Sequence, residues 1–293
     1  MIDLAAIDLA PLLDLVGRLL PFEAMQARFM QQALVGLVLL APMCAAMGVQ
    51  VVNFRMAFFS DAISHTAFAG MAIGLLLSLD YRLSMAGFGL LVGVGIMALG
   101  RRTSLSFDTV IGVFFSAVIA FGLAVVSRYR HVARGMQQFL YGDILTLGST
   151  EILLLAGLFV VLMTFQALGY NRMLYVGLSP LLASAHRVRV QVYQYCFAAL
   201  LALVVVFSVW AVGVLLVTAM LVVPAAAARN FANSATGMFW WALVVGVTSA
   251  AAGLILSAQP WAQCATGAAV VLCASVWFLV SLVPAILQKR RLD

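Results

Sequence analysis

Charge is scarce in this chain. Charged side chains make up 9% of its 293 residues, and the only lysine, Lys289, stands near the end. A soluble domain carries about 25% charged residues, so a soluble globular fold is excluded. With one lysine so placed, the nucleotide-binding pattern G-x-x-x-x-G-K-[ST] cannot occur, and the chain does not itself hydrolyse nucleotide through a P-loop. The patterns H-E-x-x-H and G-x-S-x-G are missing as well, which argues against an intramembrane hydrolase. No basic run is interleaved with aromatics, so no nucleic acid is expected as a partner. The four cysteines (Cys44, Cys196, Cys264, Cys273) form no C-x-x-C and read as small packing residues. The first 24 residues lack a basic n-region and instead hold Asp3, Asp8, Asp14 and Glu23. No removable targeting segment is therefore expected. There is no fixed-period repeat and no low-complexity tract.

What is present is apolar length. Hydrophobic residues make up 65% of the chain. A bilayer-spanning helix needs about 20 such residues. Runs of this kind lie at 31–53, 57–79, 84–100, 108–127, 151–169, 239–258 and 265–287. One further apolar stretch, 192–226, would be about 52 Å long as a single helix, too long for one ordinary crossing. Arginines flank both of its ends, so both ends are placed on the cytoplasmic side. It is read as a crossing to about Ser208, a turn around Trp210–Gly213 and a return helix broken at Pro224. The expectation is an all-α, polytopic bundle of eight or nine spans in a membrane. Alternation puts Arg55, Arg101, Arg102, Arg172, Arg187, Arg189, Arg229, Lys289, Arg290 and Arg291 inside. Arg18, Arg28, Arg82, Arg128, Arg130 and Arg134 fall outside. Gly70 with Gly74 and Gly89 with Gly93 repeat at four-residue spacing, which lets helices approach closely in ordinary bundle packing or at a dimer face.

The chemistry concentrates in Phe58-Phe59-Ser60-Asp61-Ala62-Ile63-Ser64-His65-Thr66. Asp61 and His65, at i and i+4, share a helix face with Cβ atoms about 5–6 Å apart. Ionisable groups at membrane depth are costly to keep and are functional candidates by default. A carboxylate and an imidazole so placed can grip one cation, or can form a self-contained hydrogen bond between helices. Two ligands do not complete a tetrahedral metal site. A two-fold homodimer with this helix near its axis would supply four. Ser64 lies between the two and is a candidate for the same pathway.

Other polar residues read more simply. Asp143, in Phe139-Leu140-Tyr141-Gly142-Asp143, could line an outer vestibule or be a solvated loop carboxylate. Asp108 opens a span, where it favours the helix N-terminus. His131 and His186 sit among arginines in connecting loops. Pro224-Ala225-Ala226-Ala227-Ala228-Arg229-Asn230 ends a span in an alanine-rich segment. This could be a small helix lying across the membrane face and docking a partner, or a plain connection.

Four segments together resemble the bacterial zinc/manganese ABC transporter permeases. Arg55-Met56-Ala57-Phe58-Phe59-Ser60-Asp61-Ala62-Ile63-Ser64-His65 resembles that family's R-M-x-x-x-G-D-x-x-[SA]-H. Phe29-Met30-Gln31-Gln32-Ala33-Leu34 looks like its entry to the first main span, and Leu140-Tyr141-Gly142-Asp143-Ile144-Leu145 like its F-G-D-x-L. Gly213 to Arg229 is similar to V-G-x-L-L-V-x-A-L-L-x-x-P-A-A-x-A-R. The resemblance spans 29–287 and implies a permease domain of the type II ABC importer kind, allied to cobalamin and iron-chelate importers. Residues 1–28 are left as an extracytoplasmic or interfacial segment and 288–293 as a basic cytoplasmic tail. Implied partners are a second copy, a cytosolic ATPase dimer, an extracytoplasmic metal-binding protein and membrane lipid. The bacterial plasma membrane is the implied location. No cofactor is held permanently: zinc or manganese is cargo, and ATP belongs to the partner subunit. Asp61 and His65 match the metal-contacting pair. The stretch 225–238 matches a coupling segment to the ATPase, with Pro224, Ala225, Arg229, Asn230 and Phe231 as its contact residues. Two departures stand out: Ser60 replaces the usual glycine, and Gln263-Cys264-Ala265-Thr266-Gly267 stands where the family often shows D-x-P-T-G.

The expected activity is therefore import of a divalent metal, zinc ahead of manganese, by alternating access. The alternative is a gradient-driven ion or proton-coupled transporter with Asp61 and His65 as a relay. An enzyme is not expected, because no second catalytic cluster is present.

Overall fold

The computed structural model describes residues 10–19, 26–128, 144–259, 261–262 and 264–289. Among them are eleven α-helices and one 3₁₀ turn (Ile144–Thr146), with no strands. The helices are α1 (Ala10–Leu19), α2 (Arg28–Asn53), α3 (Phe59–Leu76), α4 (Tyr81–Arg102), α5 (Phe107–Arg128) and α6 (Ser149–Leu178). There follow α7 (Pro180–Ala185), α8 (Val190–Val212), α9 (Val214–Phe231), α10 (Ala235–Ser257) and α11 (Thr266–Lys289). In hydrocarbon every backbone N–H and C=O must be satisfied within the segment, which is why runs this apolar become helices. Eight of them (α2, α4, α5, α6, α8, α9, α10, α11) are long and apolar enough to cross a membrane. The eighteen-residue α3 is not in that set, because Ser60, Asp61, Ser64, His65 and Thr66 dilute its apolar character. With it the bundle has nine long antiparallel segments, within the expected eight or nine.

Short polar signals start the helices. Asp80 accepts from the backbone of Arg82 at 2.8 Å and caps α4. Ser106 accepts from the Thr109 backbone at 3.2 Å at the head of α5, and Ser234 from Gly237 at 3.1 Å at the head of α10. Each satisfies a donor that the first turn would otherwise leave unpaired.

The long apolar stretch divides as anticipated, at Gly213. Its φ of 88° is open to glycine and strained for any side chain, and it turns α8 into α9. The expected break at Pro224 is absent, for α9 runs without interruption to Phe231. Proline removes one N–H from the ladder, but neighbouring helices hold such a helix together in lipid. Here α2 does so through Gly48, where a Cβ would lie 1.9 Å from the Leu221 carbonyl oxygen and 3.4 Å from Ala225 Cβ.

α2 and α8 are the most buried spans, and α5 the least. Gly70 and Gly74 sit where a Cβ would come within 2.8–2.9 Å of α4. Gly89 and Gly93 press on Val206 and Ala202 of α8. Their spacing therefore serves packing within one chain. Trp240 and Trp241 lie near the start of α10, as interfacial aromatics do, and Trp277, midway along α11, meets Phe231 edge to face at 6.4 Å.

Candidate metal site on the third helix

The corner before α3 decides where its polar face points. α2 ends with Arg55 in the left-handed region, φ 56°. The Arg55 N–H donates to Val52 O at 3.1 Å, and the Met56 N–H reaches back to Val51 O at 3.0 Å. This is a Schellman closure with arginine in the seat that glycine usually takes. Met56 and Val51 are buried behind it, and Phe54 packs on Phe197 with ring centroids 5.1 Å apart. α3 leaves the corner pinned by Phe59, which is fully buried.

Asp61 falls in the first turn of α3, where the helix dipole favours a negative charge, and His65 follows one turn later. Both are half-buried, whereas Ala62, Ile63, Ser64 and Thr66 around them are buried. The two thus stand on a partly open stripe with Phe68 below them, while Ala62, Ile63, Ser64, Thr66 and Ala67 between and beside them are packed. The imidazole meets Phe115 of α5 edge to face at 5.1 Å. Ser64 lies off this stripe: its hydroxyl donates to Ser60 O at 2.7 Å within the helix. Thr66 is likewise turned inward, donating to Ile63 O at 2.6 Å. Ser60 is buried with its own hydroxyl unpartnered.

No group of three or more His, Cys, Asp or Glu converges among the described residues. Asp61 and His65 therefore stand as a pair, with no third such group beside them among the described residues. Beside them α5 turns Gly112, Ser116 and Ala120 outward at four-residue spacing, with open space over Gly112. Stripes of this kind let a second helix approach in lipid. The spacing was readable in the sequence; that it is exposed and adjoins His65 was not.

Asp143 and His131 lie outside the described residues. Asp108 is exposed in the first turn of α5. His186 is exposed and stacks on Tyr175 at 4.8 Å. Arg82 is held by Glu151 at 3.9 Å and by the Trp210 ring at 4.4 Å.

At the opposite end of the bundle, the stretch 225–238 holds no separate surface helix: α9 ends at Phe231 and α10 begins at Ala235. Pro224 and Ala225 are buried. Asn230 donates to Ser281 Oγ at 2.9 Å, and Phe231 stacks on Trp241 at 4.9 Å. Of the five residues singled out there, Arg229 alone is exposed. A short independent helix does exist on this side, α7, started by Ser179 and Pro180. Leu181 on it is 82% exposed. A proline at the first helical position after a serine cap is a sequence signal for such a helix.

Residues 26–285 match the family model described as the ABC 3 transport family. The chain is 31% identical over 246 residues to the high-affinity zinc uptake system membrane protein ZnuB of Haemophilus influenzae. That match covers 84% of this chain and 93% of the relative. It is 30% identical over 257 residues to the manganese transport system membrane protein MntC of Listeria monocytogenes, covering 88% and 91% respectively. In structure it resembles PsaBC from Streptococcus pneumoniae in complex with Fab, with a TM-score of 0.74 and 28% identity. The likeness covers 94% of this chain and 95% of the other.

Proposed function

The chain belongs to the ABC 3 transport family, and on that premise we propose that it moves zinc, ahead of manganese, into the cytoplasm by alternating access. It is a multi-pass permease subunit, and ATP hydrolysis belongs to a separate partner. Family membership sets aside the gradient-driven alternative. The observation that carries the metal reading is the half-open Asp61–His65 stripe with no third ligand beside it. A second copy, approaching over the small residues of α5, would bring its own Asp61 and His65 and complete four ligands. Relatives divide between zinc and manganese, so ligand chemistry decides the order of preference: imidazole suits zinc, whereas carboxylate suits manganese as well. Cargo must also leave, so the site is a transient one. An extracytoplasmic binding protein delivers the metal to the outer face.

Docking of the ATPase has two candidate elements on the cytoplasmic side. One is the end of α9, where Pro224 and Ala225 form the buried base and Arg229, Asn230 and Phe231 the tip. The other is α7, favoured by its independence from the spans and by the exposure of Leu181. Arg229→Glu and Leu181→Asp, compared for co-purification of the ATPase, separate them.

The deciding experiment is elemental analysis of cells that depend on this transporter. Wild type, Asp61→Asn and His65→Ala are compared at matched expression, with and without the ATPase. One metal should rise in wild type alone, and only when the ATPase is present. Normal accumulation in both variants would remove the pair from the transport path.

A further inference from the structure

α6 is 30 residues long, about 45 Å, and exceeds a hydrocarbon core of about 30 Å. Its inner end therefore stands in the headgroup zone, carrying Arg172. Between α6 and α8 runs a groove of about 550 Å³, walled by Val161, Phe165 and Leu168 on one side and Val192, Cys196 and Leu200 on the other. Leu168 is 76% exposed at its rim. The groove opens inward on a second hollow of about 400 Å³ lined by Arg172, His186, Arg187 and Arg189. Val192 and Tyr193 line both, so the two are continuous. Among the described residues no carboxylate lines either part. The Arg172 Nη1 donates to the Tyr193 hydroxyl, which fixes one guanidinium at the junction.

Arg187 adds a second, independent sign. It closes α7 at φ 56°, donating its N–H to Ser184 O at 3.0 Å, while the Val188 N–H reaches Ala183 O at 3.0 Å. Glycine would take that seat without strain, whereas arginine in it is strained. Strain kept at an exposed position points to use of the side chain.

We propose that this groove retains one anionic phospholipid. An acyl chain lies between α6 and α8, and the phosphate sits among Arg172, Arg187 and Arg189. Basic hollows between spans on the cytoplasmic side suit such headgroups, and the inner leaflet supplies them. Arginine binds phosphate oxygens in a two-pronged fashion, and a zwitterionic headgroup such as phosphocholine adds a cation that three arginines repel, whereas a phosphoglycerol headgroup does not. The lipid would bridge α6 and α8 across the two ends of α7, so its occupancy sets the position of the short helix. The inference holds whichever metal is carried.

Native mass spectrometry of the detergent-purified permease, with and without its ATPase, tests it. The probes are dioleoyl phosphatidylglycerol and dioleoyl phosphatidylcholine. One phosphatidylglycerol should bind in preference to phosphatidylcholine. The double variant Arg187→Gln, Arg189→Gln should weaken it about thirty-fold, at about tenfold per 1.4 kcal/mol and about 1 kcal/mol per lost charge. Cys196→Trp, which fills the apolar half, should weaken both lipids. Arg187→Gly removes a charge while relieving the backbone, so a binding loss there cannot be blamed on misfolding. Unchanged phosphatidylglycerol binding in these variants overturns the proposal. So does equal binding of soluble glycerophosphoglycerol, which would make the hollow a phosphate site. Loss of the ATPase with lipid binding intact would make it a protein-docking surface and overturn it as well.

Discussion

Polar groups lie at membrane depth in two quite different settings. On α3, Asp61 and His65 are partly exposed. Where α2 meets α6, Gln50 and Gln166 are shut in. Gln50 is fully buried with neither amide atom partnered. Gln166 donates to Ala46 O at 2.9 Å but leaves its own oxygen unpartnered. The first pair can be completed from outside, by cargo and by a second copy. The second is closed to anything larger than a rearranged side chain, and an unpaired buried polar group costs about 1–3 kcal/mol. Openness, more than polarity, separates the candidate site from the closed pair.

The largest effect should come from the open pair. Asp61→Asn or His65→Ala should reduce metal accumulation at least about tenfold, the price of one lost ligand or charge partner being at least about 1.4 kcal/mol. Gln50→Leu should leave accumulation near wild type. Equal loss from Gln50→Leu in a uptake assay would abolish the distinction between the two settings. On stability rather than transport, the largest effect belongs to Gly48→Leu, which drives a side chain into the Leu221 carbonyl. It should destabilise the bundle by about 3 kcal/mol or more, seen as a lower melting temperature in detergent. If stability is unchanged, α2 and α9 are not in the close contact described.

Protonation should sharpen the comparison further. Metal ligands must be deprotonated, so protons compete with cargo at Asp61 and His65. Initial uptake should fall as pH drops across about 5.5–7.5, the range in which an ordinary histidine titrates. Uptake that stays flat over this range would remove His65 from the ligand set. The smallest effect belongs to the closed pair. Gln50→Leu should raise the melting temperature, because an unpaired amide gives way to an apolar group of similar size. A lower melting temperature would show that the amide has a partner.

Much of this was legible in the residues. Nine apolar segments and the turn at Gly213 follow from run length and from a glycine between two arginine-flanked ends. The Asp61–His65 spacing is likewise local, since a helix repeats every 3.6 residues wherever it sits. Pro224 misled, because its cost is a local one that close contact with Gly48 and its neighbours overrides. Ser64 shares a turn with the pair yet faces the core. A separate surface helix was sought at 225–238, at the end of a long apolar stretch, whereas the short independent helix stands after Ser179-Pro180, inside what reads as a plain arginine-bearing loop.

Composition and run length by themselves determined that this is an all-helical membrane bundle, because lipid leaves the backbone no other way to satisfy its hydrogen bonds. They also determined that one helix carries a carboxylate and an imidazole on the same face. Only the tertiary structure decided which way that face turns, that Gln50 is enclosed while His65 is open, and that α6 and α8 leave a groove ending in arginines. Those outcomes depend on how helices distant in the chain approach one another. Contacts such as Gly48 on Leu221 and His65 on Phe115 set that approach, and no local pattern encodes it.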